Sequence, residues 1–365
     1  GELLSRCRLL ERVAAEVSRL AFLANKGKDL AFVRSLEPRI ASHRAALRDR
    51  ITAALAAALA PPSPAPPSPA SAATDSPAGG DTAAGSSTPN PQPPQPPAPS
   101  ATRLAAALHA LHAAADLGES GAAEGAVRRV LVAPLVERVL AEHKAAGGHQ
   151  GSFSSALAPV LSSLLSAIRS PPLAPLLDKC LAPGSPLRGL DLLAGALLEE
   201  VQGALAAGMP GVFSPGVPPA FHANYLALRA WLGQLEGLCA TRGQVERLRG
   251  SAAYSALMRR WNTSVYFSLL YQEIAGELED ALSSDKLELL PPQPSSSSSS
   301  TTPLSSGGGA TQQLMMIPTP QPPQLAATAA LLRCLRRAVS PEVVLPPLAD
   351  RFLRLVLQLA RRYGT

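Results

Sequence analysis

Aromatic residues are scarce in this chain. Its 365 residues include 7 Phe, 5 Tyr and 2 Trp. Charge is scarce too, at 16% Asp, Glu, Lys and Arg against a typical ~25%. Alanine and leucine dominate the apolar residues, and β-branched residues are few. That composition argues against sheets and for helices. Only four cysteines occur, Cys7, Cys180, Cys239 and Cys334, dispersed and without a CxxC pair. They exclude a disulfide framework and a cysteine-rich metal site, and they read as reduced and intracellular. No apolar run approaches the ~18 residues of a membrane span. The first residues, GELLSRCRLLERVAAEV, are charged throughout and are not a signal peptide. Arg6 stands where a myristoylation motif needs Ser or Thr. Net charge is +6, with no run of five basic residues, so nothing marks a nucleic-acid or lipid patch.

Two stretches differ from the rest. Pro61–Ser100 holds 14 of the 37 prolines, and its only charges are Asp75 and Asp81. Pro291–Pro323 holds 8 more prolines, SSSSSS, SSGGG and no charge. Neither can bury enough apolar surface to offset its ordering entropy, so both are expected to be disordered linkers. The apolar island Leu314–Ile317 in the second reads as chance.

The linkers divide the chain into five expected segments. A helical hairpin spans 1–60, a linker 61–100, a helical-rod domain 101–290, a linker 291–323 and C-terminal helices 324–365. In the first segment Leu10, Val13, Val17 and Leu20 alternate steps of three and four, the seam of a packed helix. Asn25–Asp29 breaks the pattern. A second helix carries Leu36, Ile40, Leu47, Ile51, Leu55 and Leu59 on one side, with Pro38 placed in its first turn. Further helices are expected at Arg103–Leu117, Ala122–Lys144, Phe153–Ile168, Gly189–Leu205, Ala220–Cys239, Gln244–Arg260, Val265–Leu282, Ala326–Val339 and Pro341–Tyr363. The fold class is all-α: consecutive antiparallel helices forming a rod-like bundle, interrupted by the two linkers.

Chemistry is hard to find. No HExxH, G-x-S-x-G or P-loop occurs. His109 and His112, with Asp116 four residues on, share a helix face. Three such residues fall short of the four ligands of a structural site and read as surface. Glu199–Glu200 and Glu273/Glu277 lie on polar faces, so no acid–base pair is expected. The pairs Arg128–Arg129, Arg259–Arg260, Arg336–Arg337 and Arg361–Arg362 read as solvated. No catalytic set, metal or cofactor is expected.

One cluster is conspicuous. Tyr254, Trp261, Tyr266, Phe267 and Tyr271 fall within one short window of an aromatic-poor chain. Such rings bury ~150–250 Å² each, roughly 1,000 Å² together. Monomers rarely expose so large an apolar patch, so the cluster is core or interface. Burial is worth up to ~25 kcal/mol gross before entropy. Core is preferred, then a partner interface, then a small-molecule pocket, because no titratable group converges there.

The same stretch carries a resemblance. WNTSVYFSLLYQEIAGELEDAL is similar to the C-terminal region of the second-subunit family of the conserved oligomeric Golgi (COG) complex. Four further stretches match in order: LLERVAAEVSRLAF…LEPRIASHRAAL, VLVAPLVERVL from Val130, VFSPGVPPAFHANYLALRAWLGQLEGLC from Val212, and RCLRRAVSPEVVLPPLADRFLRLVLQLARRY from Arg333. The resemblance covers all three helical blocks and skips both linkers. It implies an α-helical rod of the CATCHR tethering type and a non-enzymatic subunit acting in intra-Golgi retrograde transport. Through that role it keeps glycosylation enzymes in place. Implied partners are lobe subunits one, three and four, with golgins, Rab GTPases and SNAREs. The implied place is the cytosolic face of the Golgi, as a peripheral protein. The two low-complexity inserts are not part of the family pattern. The family's bundling segment would lie upstream of Gly1, so the chain reads as part of a longer subunit, diffuse in the cytosol when alone. Alternatives are a scaffold subunit of another tethering or adaptor complex, exocyst-like, or a helical metal-binding protein using His109, His112 and Asp116.

Overall fold

The computed structural model describes residues 2–61, 101–146, 157–187, 189–283 and 325–364. Apart from Pro61, both expected linkers, with Leu314–Ile317, lie outside the described residues. Among the described residues the fold is all-α, with no strand. They divide into two compact units. The first comprises Gly1–Val212 and Ala227–Arg260, the second Phe213–Leu226 and Trp261–Thr365.

The first unit opens with α1 (Glu2–Lys26) and α2 (Ala31–Leu59), an antiparallel pair against which α3 (Ala101–Leu117) packs. The inward face of α3 is nearly all small: Ala106, Ala107, Ala110, Ala113 and Ala114 are buried with Leu111 and Leu117. Small side chains let helix backbones approach closely. In α2 the buried set is Leu47, Ile51, Ala54, Leu55, Ala58 and Leu59, all in its second half. Arg103 of α3 donates to the carbonyls of Ala57, Ala58 and Ala60, satisfying acceptors that the end of α2 leaves orphaned.

Two expectations change here. Pro38 is not in a first turn, because α2 already begins at Ala31. Pro38 therefore lacks a donor for Arg34 in mid-helix, a cost of ~3 kcal/mol, carried by a 29-residue helix anchored at its other end. The seam assigned to α1 also mixes two faces. Cys7, Leu10 and Ala14 are buried, whereas Val13 and Leu20 are 40% and 56% exposed. Small residues that carry little weight in a hydrophobic pattern hold the packed face.

α4 (Ser120–Val127) runs through a π-helical segment, Arg128–Val132, into α5 (Ala133–Ala146). Pro134 lacks the N–H that would close an α-type bond to Val130, which accounts for the widened turn before it. α6 (Leu157–Ile168) and α7 (Leu173–Leu181) follow, then a π-helical segment, Leu192–Leu198, leading into α8 (Glu199–Gly208). No single described helix is long and apolar enough to cross a membrane; α6 and α7 qualify only as a pair bent by 73°. Their apolar residues Leu157, Val160, Leu161, Leu164, Ile168, Leu173, Leu176 and Leu177 are buried in the first unit.

α9 (Pro218–Glu236) is shared by the division: residues to Leu226 belong to the second unit, those from Ala227 to the first. α10 (Arg242–Gly250) starts with a capping box, the Thr241 side chain accepting from Gln244 N–H and Gln244 reaching back. α11 (Ala252–Arg259) starts at Ser251, whose hydroxyl accepts from Tyr254 N–H. The second unit holds α12 (Thr263–Leu282), α13 (Ala326–Ala338) and α14 (Ala349–Gly364). α12 packs on α13 and α14, and α13 on α14.

Candidate functional site: the aromatic cluster of the second unit

Asn262 ends the link before α12 by accepting Val265 N–H at 3.1 Å. That cap sets Trp261 just outside the helix. Its ring meets Phe213 and Phe221 edge-on with centroids 5.1 Å apart, and Tyr225 at 5.4 Å. Such T-shaped pairs are worth ~0.5–1.5 kcal/mol each beyond area burial. Trp261 is buried, and its Nε1–H meets no hydrogen-bond acceptor among the described residues, so its value lies in packing. Tyr266 stacks on Phe221 at 5.1 Å, and its hydroxyl donates to the Val343 carbonyl at 2.7 Å. Burial pushes its phenol up to about 12. His222, also buried, lies along Tyr266 and places Nε2 3.5 Å from the Val344 carbonyl. The non-helical stretch before α14 is thus held to α12 and α9 by its carbonyls.

The next residue, Phe267, packs edge-on against Phe352 at 5.1 Å and lies under the Arg351 guanidinium at 5.9 Å. Tyr271 approaches Phe267 at 6.1 Å and is 38% exposed. Tyr254 belongs to the first unit, where Arg229 donates to its hydroxyl at 3.2 Å. The structure therefore brings four of the five expected residues into one unit and leaves Tyr254 apart. It adds Phe213, Phe221, His222, Tyr225 and Phe352. The signal for the first four was the aromatic content of VFSPGVPPAFHANYL.

The polar flank of α12 carries ion pairs. Glu273 meets Arg337 at 2.6 Å, Glu277 meets Arg333 at 3.1 Å, and Glu279 meets Arg362 at 2.7 Å. Acids four apart on α12 thus face arginines four apart on the antiparallel α13. The Arg362 hydrogen bond holds the Glu279 carboxyl below its ordinary value. Arg337 and Arg362 are thus paired across helices, where the sequence had read them as solvated.

The first unit pairs two of its histidines with an acid. Glu11 of α1 sits between both histidines of α3, 2.5 Å from His109 Nδ1 and 3.2 Å from His112 Nδ1. Arg8 donates to His109 Nε2. Asp116 is exposed, so the triad weighed for a metal is not brought together. No group of three or more His, Cys, Asp and Glu among the described residues could hold a metal.

Sequence pattern missed a second polar site. Glu124, Asp191 and Glu199 line a cleft of about 490 Å³ with Arg247 and Ser251. The Asp191 N–H donates to Glu124 at 2.7 Å, and the Asp191 carboxylate caps Ala194 N–H at 3.0 Å. A Cβ on Gly195 would fall 2.2 Å from the Glu124 carboxylate, so the acid is seated where glycine leaves room. Burial pushes its carboxyl up.

Residues 259–365, which include Trp261 and the whole of α12 to α14, match the family described as COG complex component, COG2, C-terminal. The chain is 30% identical to "Conserved oligomeric Golgi complex subunit 2" of Arabidopsis thaliana over 359 residues, 98% of this chain and 39% of that protein. The chain belongs to the second-subunit family of the conserved oligomeric Golgi complex. The human protein of the same name is 30% identical over 261 residues, 70% of this chain and 31% of its own length. The Drosophila melanogaster protein is 31% identical over 172 residues, covering 46% and 23%. The chain therefore spans well under half the length of these relatives. No solved structure matches it. Of the aromatic cluster, Trp261, Tyr266, Phe267, Tyr271 and Phe352 lie in the part that the family model covers, while Phe213, Phe221, His222 and Tyr225 precede it.

Proposed function

We propose that this chain is a non-enzymatic scaffold region of a Golgi vesicle-tethering subunit. It serves intra-Golgi retrograde transport and so maintains glycosylation enzymes. It acts on the cytosolic face of the Golgi as a peripheral protein, assembled with lobe subunits one, three and four. Golgins, Rab GTPases and SNAREs are the further partners. The observation that carries this reading is the alignment with the Arabidopsis subunit over 98% of the chain. An all-α architecture suits a scaffold, and the cluster around Trp261 supports it as a packed core rather than a ligand pocket.

The test uses full-length protein in cells depleted of their own second subunit. Expected are co-purification of lobe subunits one, three and four and restoration of cell-surface glycans, read by lectin binding. Failure of both would overturn the assignment. Co-purification of another tethering complex would replace it.

A further inference from the structure

α1 carries two seams. Its inward one, through Cys7, Leu10 and Ala14, is buried. The other runs Leu9, Val13, Glu16, Leu20, Leu23, with steps of four, three, four and three. Its apolar members are 61%, 40%, 56% and 54% exposed. From Leu9 to Leu23 it extends ~21 Å at 1.5 Å per residue. Along the edge away from the core, Arg12, Arg19 and Lys26 recur every seven residues, all exposed. In heptad terms the seam occupies a and d, and each cation occupies g.

We propose that this seam docks an amphipathic helix of another chain, with apolar residues on the seam and acidic residues against Arg12, Arg19 and Lys26. Charge decides between occupants. A second copy packed antiparallel would set the two basic rows against each other. Packed parallel, each row would face the partner's Leu10 edge, already spent on the core. A lipid surface is disfavoured by Glu16, which stands among the contact residues and is repelled by anionic headgroups. In a helix pair Glu16 instead takes a Lys or Arg opposite and fixes register. The inference stands on α1 and not on the tethering assignment.

A photo-reactive phenylalanine analogue at Val13 or Leu20 of the full-length protein, expressed in its own cells, tests it, with Gln272 in α12 as an exposed control position. The expected cross-linked peptide comes from a different protein. It has apolar residues at three–four spacing over at least two heptads and more acids than bases. Arg12→Glu with Arg19→Glu should lower its yield at least tenfold with an unchanged melting temperature. Should that variant unfold, Leu9→Gln with Leu23→Gln gives the same readout. Cross-links to a second copy, to this chain itself or to lipid, no cross-link above the control, or an unchanged yield after charge reversal would each overturn the inference. A cross-linked acidic helix from a protein outside the Golgi complex would support the seam and leave the partners proposed above to their own co-purification test.

Discussion

In α3 of the first unit the inward positions are Ala106, Ala107, Ala110, Ala113 and Ala114. In α12 of the second they are Tyr266, Leu270, Ile274 and Leu278, ringed by Phe221, Tyr225, Trp261 and Phe352. The second unit takes four of the seven Phe, four of the five Tyr and one of the two Trp. One chain thus closes helices in two ways. Alanine gains its energy by drawing backbones together and loses little side-chain entropy. Rings gain it through area and edge-on contact. The first kind of core should be most sensitive to enlargement, the second to truncation.

The largest effect is expected at Trp261. Trp261→Ala removes three ring contacts and should cost about 3–5 kcal/mol. Hydrogen exchange should rise first in 263–282 and 326–364. An equal loss of protection in 101–117 would show that the two units unfold as one, and an unchanged melt would remove Trp261 from the core. Ala110→Leu is the converse. Ala110 is fully buried on α3, and the three added carbons there should cost about 1–3 kcal/mol by overpacking. A neutral result would mean that α1–α3 can part, and the contrast between the cores would fail.

Tyr266→Phe keeps the ring and loses one hydrogen bond to Val343, about 1 kcal/mol by denaturant titration. The pH dependence sharpens this. The folded phenol is raised to about 12 from 10.0. The folded state therefore holds its proton more tightly, and that stability is present below about 10 and lost as pH rises toward 12. Ultraviolet titration should show one tyrosine ionising late, absent in Tyr266→Phe. Ionisation of all tyrosines together near pH 10 would contradict the burial.

The fold class was legible because an alanine- and leucine-rich, aromatic-poor chain has few ways to make sheets. Boundaries were legible where apolar periodicity met Gly or Pro, as at α3 and α13. α7 was missed because Pro171, Pro172 and Pro175 crowd its first turn. The break at Ser251 was missed because a serine cap interrupts no apolar pattern, so α10 and α11 read as one helix. The cluster was legible as a concentration of rings and illegible as a site. Its Phe213, Phe221 and Phe352 partners arrive from distant segments, and Tyr254 leaves for the other unit. The Glu124–Asp191 cleft had no signal, since it depends on the space beside Gly195.

The smallest predicted effect lies at that cleft, in the unit whose core is mostly alanine and leucine. Burial raises the Glu124 carboxyl, the Asp191 N–H opposes that shift, and the Asp191 charge adds to it. Protons therefore bind the folded state more tightly than the unfolded chain. The folded state is favoured while the carboxyl is protonated, and it loses that advantage as pH rises from about 4.5 through the raised folded value. Glu124→Gln removes the ionisation and keeps an oxygen for the Asp191 N–H. At pH 7 it should stabilise the fold slightly, by about 0.5 kcal/mol or less, within the range of surface substitutions, and so raise the melting temperature a little. The difference should shrink to nothing as pH falls toward 4.5. Melting curves of the two proteins from pH 4 to 8 check both the sign and the window. A variant less stable than the parent at pH 7 would mean that the charged carboxylate is held by Asp191 more strongly than burial penalises it. The cleft would then join the paired acids of both units, such as Glu236 with Arg249 in the first and Glu279 with Arg362 in the second, and the two units would differ in their cores but not in how they seat an acid.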